Sequence, residues 1–131
     1  MYTLCLQRAF AARHFLVGGD WGPENTVHSH AYRIEVRLAG RALDPHGYLV
    51  DLEELERVLE ACLDGFRDRV LNELPAFAGA NPSLERFARI LRGDLGRRLP
   101  RREGLTLAVR LWENEAAWAA YEEPPGCASA S

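Results

Sequence analysis

The side chains of residues 28–38 fall into two alternating sets, and this pattern constrains the fold more than any other feature of the chain. One set holds His28, His30, Tyr32, Ile34, Val36 and Leu38, and the other holds Ser29, Ala31, Arg33, Glu35 and Arg37. A period of two is that of a β-strand, in which successive side chains point to opposite faces of the sheet. The segment is therefore predicted to be a half-buried strand, with two histidines at the start of its buried face.

Other parts of the chain carry weaker strand and loop patterns. Residues 2–10 alternate moderately, residues 105–113 alternate again, and a shorter strand is possible near 117–121. Residues 17–26 contain several glycines and a proline and are predicted to form a loop. A tight turn is expected at residues 44–47, where proline and glycine occupy their usual places.

Two segments in the middle of the chain have the periodicity of amphipathic helices. Asp51 is a candidate N-cap, and Glu54 three residues later completes a capping box. The apolar residues that follow recur in steps of three and four as far as Leu71, which predicts a helix of about five turns. Asn81 and Pro82 fit the N-cap and first position of a second helix.

The predicted order is strand, strand, helix, helix, strand, strand, which is typical of one α+β domain with helices on one face of a sheet. This domain is expected to span residues 1–123, and the tail at 124–131 is expected to be disordered. An open sheet of four strands has two edges with unpaired backbone groups, and association would cover them. The pattern therefore predicts a homo-oligomer.

Composition excludes several classes of function. The net charge is -3 and there is no basic run, so a nucleic-acid partner is not expected. No apolar stretch approaches the roughly 18–20 residues that span a bilayer, and the N-terminus lacks the zones of a secretory signal. Cys5, Cys62 and Cys127 lie far apart and in no metal-binding spacing, which favours free thiols in a reducing compartment. We therefore expect a cytoplasmic protein without a membrane partner.

All 16 basic residues are arginines. The absence of lysine excludes a lysine Schiff base and any mechanism that uses a lysine amine as a base. Recognition of an anionic substrate group would depend on arginine, whose guanidinium suits phosphate and carboxylate.

Three histidines are candidate metal ligands. His28 and His30 project from the same face of the predicted strand, and His14 follows the first predicted strand closely enough to reach them. Three neutral imidazoles would leave a fourth position of a zinc ion open, as in catalytic zinc sites. The alternative is that the His28 and His30 side chains are hydrogen-bonded core residues.

Several short motifs stand in a fixed order along the chain. They are Phe10-Ala-Ala-Arg-His14-Phe-Leu, His28-Ser-His30-Ala-Tyr32, Gly47-Tyr-Leu-Val-Asp51-Leu-Glu-Glu-Leu55, Leu71-Asn72, Asn81-Pro-Ser-Leu-Glu85 and a strand ending in Glu113. As an ordered set over residues 4–121, they resemble the family of 6-pyruvoyltetrahydropterin and 6-carboxytetrahydropterin synthases. The resemblance implies the tunnelling fold, in which ββααββ subunits form trimers that close a barrel and often stack as hexamers.

The same resemblance implies roles for particular residues. His14, His28 and His30 would be the zinc ligands, and Glu113 would anchor a pterin ring, with Glu85 as a further substrate-binding candidate. Glu113 is also in phase with the apolar face of residues 105–111, where a carboxylate needs a partner. The alternative is that the strand ends at residue 112 and leaves Glu113 exposed.

The chain departs from the family pattern at the proton relay. Family members carry a catalytic cysteine shortly before the His-x-His pair, and Glu24 stands there, four residues before His28. They also carry an Asp-His pair before the Leu-Asn step, where this chain has Arg67 and Asp68. Some family members that have a glutamate in place of the cysteine cleave the pterin side chain, but they retain the Asp-His pair.

Glu24 and Asp68 are therefore the candidate acid or base groups, unless both are solvated surface charges. Trp21 is a candidate for stacking on a flat substrate, or for packing the loop itself. Two reactions fit a zinc enzyme altered in this way: cleavage of the side chain of dihydroneopterin triphosphate, or an aldehyde–amine condensation of the Pictet–Spengler or aldol type. A non-catalytic zinc-binding oligomer would also show intact ligands and a degraded relay.

Overall fold

A computed structural model of the chain describes residues 1–123 and contains one sheet of four strands. The strands are β1 (Tyr2–His14), β2 (His28–Gly40), β3 (Thr106–Trp112) and β4 (Trp118–Glu123). Each strand pairs antiparallel with its neighbour in sequence, in the order β1-β2-β3-β4. The strands β1 and β4 therefore form the two edges of the sheet.

Two helices, α1 (Leu52–Asp64) and α2 (Leu84–Arg98), pack on the apolar face of this sheet. Helix α2 contacts β3 and β4. Helix α1 lies near β1, where Arg8 forms ion pairs with Glu56 and Glu60 at 3.6 and 3.5 Å. The predicted α+β class, with four antiparallel strands and two helices, is confirmed.

The ends of several elements differ from the predicted ones. Strand β1 does not stop at residue 10 but continues to His14, because it pairs with β2 over its whole length. Helix α1 ends at Asp64 and not near Leu71, and Gly65 is its C-cap. The buried apolar residues beyond it lie in irregular chain and two short 3-10 turns, Leu71–Glu73 and Pro75–Phe77.

The predicted N-cap residue is found at α1, without a hydrogen bond from Glu54 to complete the capping box within residues 1–123, and a different residue caps α2. The Asp51 side chain caps α1 by accepting a hydrogen bond from the Glu53 N–H at 3.0 Å. At α2 the N-cap is Ser83, which accepts from the Arg86 N–H at 3.2 Å. The expected N-cap, Asn81, instead bonds a distant part of the chain with its side chain.

Phe87 of α2 is the centre of an aromatic cluster beneath the histidine end of the sheet. Its side chain is fully buried. Its ring lies 5.2 Å from that of Tyr32 and 5.9 Å from that of Phe10, both on strands. It also lies 5.4 and 5.5 Å from the rings of Phe66 and Phe77, on the segment between the helices. This cluster joins the sheet, α2 and the connecting segment into one core.

Of the predicted free thiols, Cys5 is exposed and Cys62 is buried, and both are free. Burial, followed by contact with Asp94, raises the pKa of Cys62 well above that of an ordinary thiol. Within residues 1–123, no helix has the length and apolar character needed to cross a membrane. Cys127 and the tail at 124–131 lie outside the described residues.

We predict that Phe87→Ala lowers the free energy of unfolding by about 3–5 kcal/mol, because it removes the ring on which four other rings pack. Phe87→Leu is the matched control and should cost less, since it keeps much of the apolar volume. Urea denaturation followed by circular dichroism measures both. Equal stability of Phe87→Ala and the wild type would contradict this description of the core.

Candidate metal centre

The register of β1 and β2 brings three histidines together on the apolar face of the sheet. His14 lies directly opposite His28, and Ala12 lies opposite His30. The three ring centroids are 4.6 to 4.8 Å apart, and one ring nitrogen from each lies within 4.8 Å of the other two. The Nε2 atoms of His28 and His30 are 3.0 Å apart. The predicted candidates are thus adjacent, and their nitrogens converge.

In two of these rings the Nδ1 atom lies within hydrogen-bond distance of an oxygen atom. Nδ1 of His28 lies 2.8 Å from the backbone carbonyl oxygen of Thr26, to which it can donate. Nδ1 of His14 lies 3.2 Å from the hydroxyl of Tyr32, which is buried. Such contacts fix the orientation of a histidine ring and leave its other nitrogen for a metal.

His14 is held in its neutral form. Burial and, to a lesser degree, the neighbouring rings of His30 and His28 together lower its pKa from 6.5 to about 4, against a smaller opposing effect of the Pro82 carbonyl. A histidine must be unprotonated to bind a metal. His14 is therefore ready to act as a ligand at neutral pH.

The geometry fits a zinc ion. Two nitrogens bound to tetrahedral zinc at about 2.0–2.1 Å would lie about 3.3 Å apart, close to the 3.0 Å between Nε2 of His28 and of His30. The three donors are neutral nitrogens, which suit zinc and other transition metals. They leave one position of a tetrahedral ion for water or substrate.

Three asparagine side chains fix the chain that follows His14. The carboxamide of Asn72 both accepts from the N–H and donates to the C=O of Phe15, at 2.9 Å each. Asn81 does the same for Val17, at 2.9 and 3.0 Å. Asn25 donates to the carbonyl of Leu16 at 3.0 Å. These bonds continue the edge of β1 beyond its end and hold His14 in place.

Glu24 and Trp21 lie in the loop between β1 and β2. The loop is tied to the segment after His14 because the Leu16 N–H donates to the Glu24 carbonyl at 2.8 Å. The Glu24 carboxylate is exposed, and no ion pair or side-chain hydrogen bond is found for it within residues 1–123. Trp21 is about two-fifths exposed, and its ring lies so close to Gly19 that a Cβ there would be 2.8 Å from it.

Asp68 lies on the outer edge of β1. Its N–H donates to the Ala11 carbonyl at 2.7 Å, and its carbonyl accepts from the Arg13 guanidinium at 2.9 Å. Its φ of 60° is in the left-handed region, which aspartate tolerates better than most residues. The Asp68 side chain is exposed and is not among the groups that converge with the histidines.

The remaining candidates are Glu113, Glu85 and His46, and they differ in burial. Glu113 follows β3 directly and is half-buried, and its charge, together with burial as the larger cause, raises the pKa of Tyr32. Because Arg33 pairs with Trp112, Glu113 follows at the end of β3 that lies beside Tyr32. Glu85 is exposed in the first turn of α2, and His46 is exposed in a turn beside Tyr48.

Sequence reasoning missed the groups that orient the rings. Thr26 acts through its backbone carbonyl, which leaves no signal in the sequence. Asn25 and Asn72 carry no sequence signal for this role, and Asn81 has instead the sequence signal of a helix N-cap. Tyr32 could have been found, because it is the next residue after His30 on the same face of β2.

Comparison with known proteins gives a consistent result. A family model described as 6-pyruvoyl tetrahydropterin synthase matches residues 3–124 of the chain. No curated protein matches it. Among solved structures, 6-pyruvoyl tetrahydropterin synthase from Caenorhabditis elegans has 24% sequence identity and a TM-score of 0.80, covering 94% of this chain and 97% of that one.

Two further structures have the same fold at lower identity. A 6-pyruvoyltetrahydropterin synthase from Plasmodium vivax, in which a catalytic glutamate is replaced by alanine, is 14% identical, with a TM-score of 0.76 and coverage of 94% of this chain and 98% of that one. An uncharacterized protein from Wolinella succinogenes is 16% identical, with a TM-score of 0.70 and coverage of 92% and 97%. The predicted tunnelling-fold architecture of the subunit is confirmed.

We predict that the metal-free protein loses stability as the pH falls from about 6.5 to about 4. In this window the unfolded chain binds a proton at His14 and the folded chain does not, so lower pH favours unfolding. The stabilisation is fully present above pH 6.5, and the loss at His14 amounts to up to about 3 kcal/mol. Urea denaturation at a series of pH values in the presence of a chelator measures it.

The His14→Gln variant is the control, because it removes this titration and leaves the other ionisable groups. Its unfolding free energy should fall less steeply over the same window. Parallel curves for the variant and the wild type would contradict the lowered pKa.

Proposed function

Because the chain belongs to the 6-pyruvoyl tetrahydropterin synthase family, we propose that it is a zinc-dependent enzyme whose chemistry differs from that of the usual synthase. Its substrate would be a small molecule, with or without a phosphate, that bears a carbonyl group or a polyol. The convergence of His14, His28 and His30 is the observation that carries the proposal. A zinc ion held by these residues would supply a Lewis acid able to polarise a substrate carbonyl or hydroxyl.

Glu24 would transfer protons in this reaction. It stands four residues before His28, and its loop is bonded to the chain two residues after His14. The exposed carboxylate is free of partners within residues 1–123 and can turn towards a substrate. A catalytic glutamate is also named for the Plasmodium vivax synthase, which supports this role. Asp68 is the second candidate, and its side chain is likewise exposed.

Glu113 would hold a ring or an amine of the substrate. It directly follows β3, and the pairing of Arg33 with Trp112 places it at the end of β3 that lies beside Tyr32. A half-buried carboxylate is suited to accept hydrogen bonds from paired N–H groups. An anionic end of the substrate would be held by arginine, since the chain has no lysine.

Cleavage of a pterin side chain is the reaction that these residues favour. The chain has neither the thiol nor the imidazole of the family relay. It therefore lacks the two groups that transfer protons on both sides of the substrate in the usual synthase. In cleavage one group can first accept and then return a proton, so Glu24 would act here without the Asp-His pair that the glutamate-bearing family members retain. Dihydroneopterin triphosphate is the substrate to test first.

The protein would act as a homo-oligomer, either a trimer or a hexamer. Strand β4 and the first nine residues of β1 lie at sheet edges, and only residues 11–13 of β1 are covered there, by the chain around Val70. Pairing β1 of one subunit with β4 of the next would satisfy these backbone groups. Exposed apolar side chains near this edge, Tyr2, Leu43, Tyr48 and Leu52, fit the same interface.

A non-catalytic zinc-binding oligomer is the second candidate. The exposure of both Glu24 and Asp68 favours it, because neither carboxylate is held in the cluster. The half-buried Glu113 favours the enzyme, since a purely structural site has no need of a carboxylate there.

We predict about one zinc ion per chain after purification without a histidine tag, because three neutral nitrogens converge. The double variant His28→Ala, His30→Ala removes two of these donors and should lose the metal. Elemental analysis by mass spectrometry measures the content. His46→Ala is the matched control, since His46 is exposed in a distant turn, and it should keep its zinc. Full zinc content in the double variant would refute the site.

We predict that Glu24→Gln lowers turnover of dihydroneopterin triphosphate by about 100- to 10,000-fold, as loss of a general acid or base does. The substitution keeps the shape of the side chain and removes its proton transfer. Zinc content and oligomeric state should stay unchanged. Chromatography of the pterin products measures the rate and identifies the reaction.

Asp68→Asn is the matched control and should reduce the rate less. Full activity of Glu24→Gln would assign proton transfer to another group. Formation of the 6-pyruvoyl product by the wild type at about 1 per second or faster, the usual range for enzymes, would refute the altered chemistry while leaving the zinc site intact.

A further inference from the structure

Tyr32 occupies a position between the histidine cluster and the aromatic core. Its ring is 3% exposed, lies 5.4 Å from the ring of Phe10 and is packed edge-on against Phe87. Its hydroxyl lies 3.2 Å from Nδ1 of His14. The Tyr32 ring is thus fixed by packing against Phe10 and Phe87, and its hydroxyl contacts the candidate ligand His14.

We propose that Tyr32 is a positioning residue that holds His14 through Nδ1, so that Nε2 is the ring nitrogen left for the metal. The proposal rests on the zinc site proposed above. His28 has the same arrangement with a different group: its Nδ1 lies 2.8 Å from the Thr26 carbonyl, and its Nε2 faces Nε2 of His30. Both rings would then present Nε2 to the ion.

A hydroxyl is suited to this task because it both donates and accepts. It donates to a bare Nδ1 and accepts from a protonated one, so the contact with His14 persists whichever nitrogen carries the proton. The ring can therefore be oriented before any ion binds. A ligand fixed in advance binds its metal more tightly, since less freedom is lost on binding.

The competing group is the Pro82 carbonyl, which raises the pKa of His14 as a hydrogen-bond acceptor and is the weakest of the influences on that pKa. If this carbonyl alone fixed His14, the Tyr32 hydroxyl would be dispensable for metal binding. Removal of the hydroxyl separates the two arrangements.

Tyr32→Phe removes the hydroxyl and keeps the packed ring. It should weaken zinc binding by about 10- to 100-fold, the usual effect of losing a group that orients a ligand. Competition with a fluorescent chelator measures the affinity. Tyr121→Phe is the matched control, because it removes a hydroxyl that bonds Glu123 at 2.7 Å, away from the histidines; its affinity should equal that of the wild type.

A merely structural role of Tyr32 would lower the unfolding free energy of the metal-free protein without changing the affinity, and that result would overturn the proposal. If the wild type binds zinc and Tyr32→Phe binds it equally tightly, the proposal fails while the zinc site stands. If the wild type binds no zinc, both fail.

A second measurement uses the wild type alone and does not depend on folding of the variant. NMR of nitrogen-labelled protein loaded with an NMR-active cadmium isotope shows which ring nitrogen is bound, through the coupling between metal and nitrogen. The proposal requires the coupling to appear at Nε2 of His14. Coupling at Nδ1 would overturn it.

Discussion

The antiparallel register between β1 and β2 is the constraint on which the candidate site depends. It sets His14 opposite His28 and places both on the face that carries His30 and Tyr32. A shift of one residue in this pairing would turn His14 to the opposite face. The apolar alternation of both strands and the core beneath them resist such a shift, because it would also expose every buried side chain of β1. Packing of the core thus fixes the geometry of the three-histidine cluster.

The pairing of β1 with β2 would be weak at its His14 end without hydrogen bonds from outside the sheet. His14 is the last residue of β1, at the edge of the sheet, where strand ends fray. The chain from Asp68 to Asn81 prevents this by bonding the backbone of β1 and of the residues that follow it. The long connection between the helices therefore serves as an additional edge, and two asparagine side chains take the place of ladder bonds.

The sequence was sufficient for the α+β class and for the approximate position of each strand and helix. Periodicity reports which residues face the core, and the core determines these elements. It was insufficient for the end of α1. Phe66 and Leu71 lie beyond the helix but are buried, and their spacing also fits a helical period. It was likewise insufficient for Asn81, whose side chain can cap a helix or bond a distant backbone, and only tertiary contact decides which.

For the candidate site, two histidines on one strand could be placed by spacing, and the third only through the pairing of β1 with β2. The orienting groups are a backbone carbonyl and a phenol, of which the first leaves no trace in the sequence. The three histidines converge, whereas the carboxylates of Glu24 and Asp68 are exposed, and this contrast is the basis of the proposal that a metal site is combined with altered proton chemistry.

The most direct test of this account is a crystal structure of the protein with zinc, with anomalous diffraction recorded at the zinc absorption edge. The account predicts one strong peak per chain, about 2.0–2.1 Å from a ring nitrogen of each of His14, His28 and His30. A zinc peak bound by other residues, with these three rings bonded only to one another, would contradict it.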